Sequence, residues 1–162
     1  MYGQNKADNA LDKVGSEVIV AVADKTLAAS DSGATVFVNA AAISVTLPAA
    51  KAGLNFKIIL GIDTTAGADI LCTSGDAFFG IVRLFSDTAD QVGVPQQISH
   101  ATAIGTVANY DTMDFVADTA TIGGMAGDVI EVVAVDDIAW HVSADLTTTQ
   151  NNPGTVAVIV AS

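Results

Sequence analysis

Hydrophobic and polar residues alternate in short runs along most of the chain, and turns of small residues separate the runs. Ile43, Val45 and Leu47 share one face of such a run. Pro48 ends it, because proline cannot donate to a β-ladder. The run Glu17–Ala23 is apolar throughout its centre, which predicts a strand buried on both faces.

The same patterns predict further strands over 34–39, 55–61, 69–73, 77–85, 112–117, 128–135, 138–144 and 154–160. Asp136-Asp137 forms the turn of the clearest hairpin in the chain. Residues 86–109 predict an extended loop, with a short strand over 98–101. About ten strands without a long amphipathic helix predict an all-β domain, either a sandwich or a barrel and jelly-roll-like. Short connections favour antiparallel pairing throughout.

Residues 1–16 differ from the rest in being polar, and they predict an N-terminal arm before a single β domain over 17–162. Asp8 or Asn9 has the side chain to cap one or two helical turns, which Gly15 would stop. Two interpretations stay open for this segment: a frayed terminus, or an arm that becomes ordered on a neighbouring subunit.

Charge is scarce and unevenly distributed. Charged residues make up 15% of the chain against 51% hydrophobic, whereas ordinary domains carry about 25% charged residues. The exterior is therefore covered by small polar residues, or part of it is buried against other chains. The net charge is −12: residues 1–83 hold six bases and eight acids, and residues 84–162 hold ten acids and no base. This balance argues against nucleic acid as a partner.

No apolar run has the length of a membrane helix, and the N-terminus lacks the apolar core of a signal peptide, so we expect no membrane association. Cys72 is the sole cysteine and is expected to be a small core residue. His100 and His141 are far apart in sequence. Alternation places Trp140 and His141 on opposite faces of a strand, Trp140 inward. Glu131 is expected to face solvent or a partner.

Side chains that could take part in catalysis or bind a metal or cofactor do not cluster in this sequence. The run 123–128 is glycine-rich but lacks the Gly-Lys-Ser/Thr ending of a phosphate loop and is read as a turn. We therefore expect a protein that is not an enzyme and has no cofactor, metal site or catalytic residue. A small hydrolase built around His100 or His141 is the weakest of the alternatives.

Two stretches resemble small β-rich virion proteins of tailed bacteriophages, of the capsid decoration (cement) or head-fibre type. The first is 26–60, in which Leu47-Pro48 ends a strand and Gly53 precedes the next. The second consists of Gly127-Asp128-Val129-Ile130-Glu131-Val132 and the later Trp140-His141-Val142-Ser143. Together they cover about half of the chain.

The resemblance implies a structural subunit, made in the host cytoplasm, that binds the outer surface of the mature head as a homotrimer and stabilises the major capsid protein lattice. We expect the arm to contact the capsid or a neighbouring copy through Tyr2, Lys6, Leu11 and Lys13. The alternative is a tail or head-fibre module that binds a glycan or receptor on the host surface.

Overall fold

The computed structural model describes residues 17–63, 68–86, 94–98, 110–114, 124–148 and 159–161. Within these ranges the chain forms strands and one 3-10 turn, Ala29–Asp31. The strands are β1 (Val18–Ala21), β2 (Lys25–Thr26), β3 (Thr35–Val38), β4 (Ser44–Thr46), β5 (Asn55–Leu60), β6 (Asp69–Leu71), β7 (Ala77–Ser86), β8 (Val94–Ile98), β9 (Tyr110–Asp114), β10 (Val129–Ala134), β11 (Ala139–Thr148) and β12 (Ile159–Ala161).

These strands form two sheets. The seven-stranded sheet has the order β1-β3-β5-β10-β11-β7-β8, and the five-stranded sheet has the order β12-β9-β6-β4-β2. The all-β prediction is confirmed. No helix within the described ranges is long and apolar enough to cross a membrane.

The first six strands alternate between the two sheets. β1, β3 and β5 pair in parallel in the larger sheet, while β2, β4 and β6 pair in parallel in the smaller one. Each short connection therefore joins strands of different sheets. Successive strands within one sheet enter it from the same end and run in the same direction. The prediction of antiparallel pairing throughout is wrong for this reason, and both sheets are mixed.

The hairpin of β10 and β11 lies at the centre of the larger sheet. β10 pairs antiparallel with both β11 and β5, and β11 pairs in parallel with β7 over ten residues. The predicted hairpin is confirmed, with Asp136 Oδ1 accepting the Ile138 N–H at 2.9 Å in its turn. The hairpin thus joins β1-β3-β5 to β7-β8.

Alternation along the strands produces the core. On β5, Phe56, Ile58 and Leu60 are buried, and the residues between them are exposed or half-buried. Trp140 is fully buried and packs near Phe56, with ring centroids 6.0 Å apart. One hydrophobic cluster contains buried side chains of both sheets, among them Val45 and Ile70 of the smaller sheet.

Two local predictions are wrong, and one strand was not predicted. Glu17–Ala23 is not buried on both faces: Val18, Val20 and Val22 are 62%, 55% and 65% exposed, because one face of the run is turned away from the hydrophobic core. Residues 94–98 form β8 rather than loop, although Pro95 lies within it. The two-residue strand β2 has no alternation to reveal it.

Candidate functional site

The seven-stranded sheet has one face turned away from the core, which we call the outer face. It consists of the strand positions that alternate with the buried ones. On β10, for example, Ile130 and Val132 are buried, whereas Glu131 and Val133 are exposed. The prediction that Glu131 faces outward is confirmed.

The strand register aligns the outer-face residues in rows that cross the sheet. One row consists of Val18, Thr35, Lys57, Glu131, Ser143 and Ile81. The next consists of Val20, Phe37, Ile59, Val129, Asp145 and Arg83. Directly opposed side chains within a row are close enough to interact. The outer face is therefore a continuous surface, and the strand register fixes which side chains are neighbours on it.

Large apolar side chains are exposed at both ends and in the middle of this face. Val18 and Val20 lie on β1, Ile81 and Phe85 lie on β7, and Val133 lies on β10, each more than 40% exposed. Scattered exposed apolar residues are ordinary, but several on one sheet face are typical of protein interaction surfaces. The outer face is accordingly the candidate functional site.

Charges on the outer face occur in opposed pairs. Lys57 lies directly across from Glu131 in the register. Arg83 Nε donates to Asp145 Oδ1 between two partly exposed side chains. This hydrogen bond lowers the pKa of Asp145, aided by the positive charge of Arg83. Two bases and two acids leave the described outer face neutral in a chain of charge −12. A neutral surface approaches another acidic protein without strong repulsion.

His141 belongs to the outer face, and Trp140 points into the core, as alternation predicts. The His141 ring meets the edge of the Phe79 ring at a centroid distance of 5.2 Å and an angle of 73°. The register places these residues directly opposite each other on β11 and β7. This packing orders the middle of the outer face.

Asp128 holds the loop before β10 against β11. Its Oδ2 atom accepts hydrogen bonds from the backbone N–H groups of Gly124, Met125 and Thr147 at 3.1, 2.9 and 2.8 Å. Burial raises the pKa of Asp128, and these hydrogen bonds oppose that shift. Gly127 has a φ of 100° in the same turn. The described part of the glycine-rich run is thus a turn clamped by a carboxylate, as predicted.

Cys72 is buried in the core, which confirms its predicted place. Burial, with the nearby charges of Asp76 and Asp111, raises the pKa of its thiol far above the ordinary value. The thiol is therefore held in its protonated, unreactive form.

Several predicted site residues lie outside the described residues: Tyr2, Lys6, Leu11 and Lys13 of the arm, and His100. In the described part of the chain, no three His, Cys, Asp or Glu side chains are grouped so as to hold a metal ion.

The exposed valines of β1 are residues of the candidate site that the sequence analysis missed. An unbroken apolar run indicates burial on both faces, and the pattern does not reveal which side lacks a neighbour.

Comparison of the chain with models of protein families, with curated proteins and with solved structures found no match.

Proposed function

We propose that this chain is a structural subunit of a tailed-phage virion that decorates the outside of the mature head. The observation that carries the proposal is the outer face, which combines exposed apolar side chains with opposed charges. The sequence resemblance to capsid decoration proteins supplies the partner, the major capsid protein. The homotrimer that the resemblance implies is part of the same proposal.

The proposed fold is a sandwich in which the two sheets pack face to face. The buried cluster of described residues supports this arrangement, because it contains Val36 and Ile58 of the larger sheet together with Val45 and Ile70 of the smaller one. In a sandwich the inner face of each sheet forms the core, which leaves the outer face free to bind a partner.

The proposed mechanism is stabilisation by mass action. A subunit that binds the assembled lattice, and not dissociated capsid subunits, shifts the equilibrium toward the lattice. The apolar side chains of the outer face would supply binding energy on burial. The paired charges, such as Lys57 opposite Glu131, would fix orientation more than affinity.

The test is sedimentation of the purified chain with heads of its own phage, prepared without it, in mature and immature form. The readout is the number of copies bound per head. We expect saturable binding to mature heads at a fixed ratio to the major capsid protein. Absence of binding to both lattices would overturn the proposal, and retention of a host-surface glycan would then favour the fibre alternative.

A matched pair of variants assigns the binding to the outer face. Ile81→Lys places a charge in the middle of β7, and Ile138→Lys places one in the hairpin turn at similar exposure, 42% against 38%. We expect Ile81→Lys to weaken head binding about tenfold or more, since a buried unpaired charge is costly, and Ile138→Lys to bind as the parent does. Equal binding by both variants would place the contact on another surface.

A further inference from the structure

Strand β1 has a neighbour on one side only among the strands that the structure describes, where it pairs with β3. The Thr35 N–H donates to the Glu17 carbonyl oxygen and the Asn39 N–H donates to that of Ala21, both at 2.8 Å. In a parallel ladder alternate residues bond to the same neighbour. The backbone N–H and C=O groups of Val18 and Val20 therefore point away from β3, toward the free edge.

The same two residues also expose their side chains, Val18 to 62% and Val20 to 55%. A free edge with apolar β-branched side chains is a template for another strand. Natural edges are commonly protected by charge, proline or a bulge. β1 contains none of these over Val18–Ala21, and its register with β3 is regular. The opposite edge strand, β8, carries Pro95.

We infer that β1 pairs with β1 of a second copy of this chain, antiparallel, about a two-fold axis at Ile19. This register places Val18 of one copy opposite Val20 of the other, and the reverse. Both residues have their backbone groups at the free edge, so each pair exchanges two N–H···O bonds. The edge is complementary to itself, as a two-fold contact requires. The inference needs no capsid, and its two-fold contact is distinct from the threefold contact of the proposed homotrimer. The two contacts together would pair trimers into a hexamer.

Charge supports a second copy as the partner. Lys57 is the one charged side chain at the outer-face positions of β1, β3 and β5, and no acid lies there. The proposed register places Glu17 opposite Ala21 of the second copy rather than opposite another acid. The outer-face positions of the described strands beside this contact therefore add no negative charge to it. Pairing would also join the row of Val20, Phe37 and Ile59 to the row that begins with Val18 in the second copy.

The first test is sedimentation of the full chain over about a hundredfold range of concentration, since association follows mass action. We expect an assembly with an even number of chains, whose mass falls by half in Val20→Pro and Val20→Lys. The proline removes a donor that points to the free edge and leaves the bonds to β3 intact, which edge strands tolerate. Val135→Lys is the control, since Val135 is 48% exposed and lies beyond β10. It should assemble as the parent does.

The second test measures the register by disulfide formation. Chains carrying Val18→Cys and Val20→Cys are mixed and oxidised mildly. Directly opposite residues are about 5.5 Å apart at Cα, within disulfide range, whereas diagonal ones are about 7–8 Å apart. We expect the disulfide-linked dimer between Val18→Cys and Val20→Cys, the mixed dimer, to form in higher yield than the like dimers, in which two identical variants are linked. The parent chain, whose buried Cys72 is its sole cysteine, should form no disulfide dimer.

Three results would overturn the inference. The parent could remain monomeric at every concentration, its assembly could keep the same mass in the Val20 variants, or the mixed dimer could form no more readily than the like dimers. Far-UV circular dichroism shows whether each variant is folded. If Val20→Pro does not fold, the disulfide yields of Val18→Cys and Val20→Cys test the inference instead.

Discussion

Gly80 of β7 lies against the backbone of Val142 in β11. A Cβ atom built on Gly80 would be 2.0 Å from the Val142 carbonyl oxygen, and the φ of Gly80 is 144°. A glycine within a strand marks a bulge or a close backbone approach, and here the structure shows a close approach. No side chain fits here unless the two strands separate.

Gly80→Ala should therefore lower the free energy of unfolding by about 3 kcal/mol or more, because backbone atoms cannot move aside as a flexible side chain would. Urea unfolding followed by Trp140 fluorescence measures the change. Gly75→Ala is the matched control, since Gly75 has a φ of 96° but no atom within 4 Å of the added Cβ. It should cost about 1 kcal/mol, from backbone strain alone. Equal losses in the two variants would contradict the close approach.

Asp128 should make stability depend on pH in an unusual direction for a carboxylate. Its pKa is raised in the folded chain, so the folded state binds the proton more tightly than the unfolded state. The contribution of Asp128 to the free energy of unfolding therefore increases as pH falls from neutral through the raised pKa toward the ordinary value of 3.8. Asp128→Asn removes this titration and keeps one oxygen acceptor.

The measurement is urea unfolding of the parent and Asp128→Asn at a series of pH values from neutral to acid. The stability of the parent relative to Asp128→Asn should rise as the pH is lowered. Asp128→Ala should lose about 3 kcal/mol at neutral pH, because three backbone donors lose their acceptor. A parent that loses stability relative to Asp128→Asn on acidification would contradict the raised pKa.

Cys72 should react slowly in the folded chain. Its thiol is buried and its pKa is raised, and only the thiolate is a strong nucleophile. Alkylation by iodoacetamide, followed by mass spectrometry, should be about a hundredfold slower in buffer than in concentrated urea. The urea sample serves as its own control. Equal rates in the two solutions would show that the core around Cys72 opens freely.

Alternation in the sequence was sufficient to locate most strands. Phe56, Ile58 and Leu60 follow the two-residue period and are buried as predicted. Trp140 and His141 separate to opposite faces for the same reason. Where side chains alternate between core and solvent, the local pattern contains the information.

The partners of most strands other than β10 and β11 could not be predicted, because pairing depends on distant parts of the chain. β2 is too short to show a period. β8 was not predicted because it contains Pro95, and proline within a run argues against a strand. Short connections suggested antiparallel neighbours, but they pass from one sheet to the other. The exposed edge at Val18 and Val20 was missed because an apolar strand at an edge has the same composition as one in the middle.

The position of the β10–β11 hairpin has a consequence for the order of folding. Among the strands that the structure describes, the larger sheet has two parts, β1-β3-β5 and β7-β8, and this hairpin pairs with both. The ladder between β7 and β11 joins residues 62 positions apart, and closing so long a loop is slow. The early strands can pair as soon as they are made. The sheet is complete only after the hairpin has inserted into the gap between β5 and β7. Until then both sides of the gap are open strand edges, and the nascent chain passes through a stage in which it is exposed to pairing with the wrong strand.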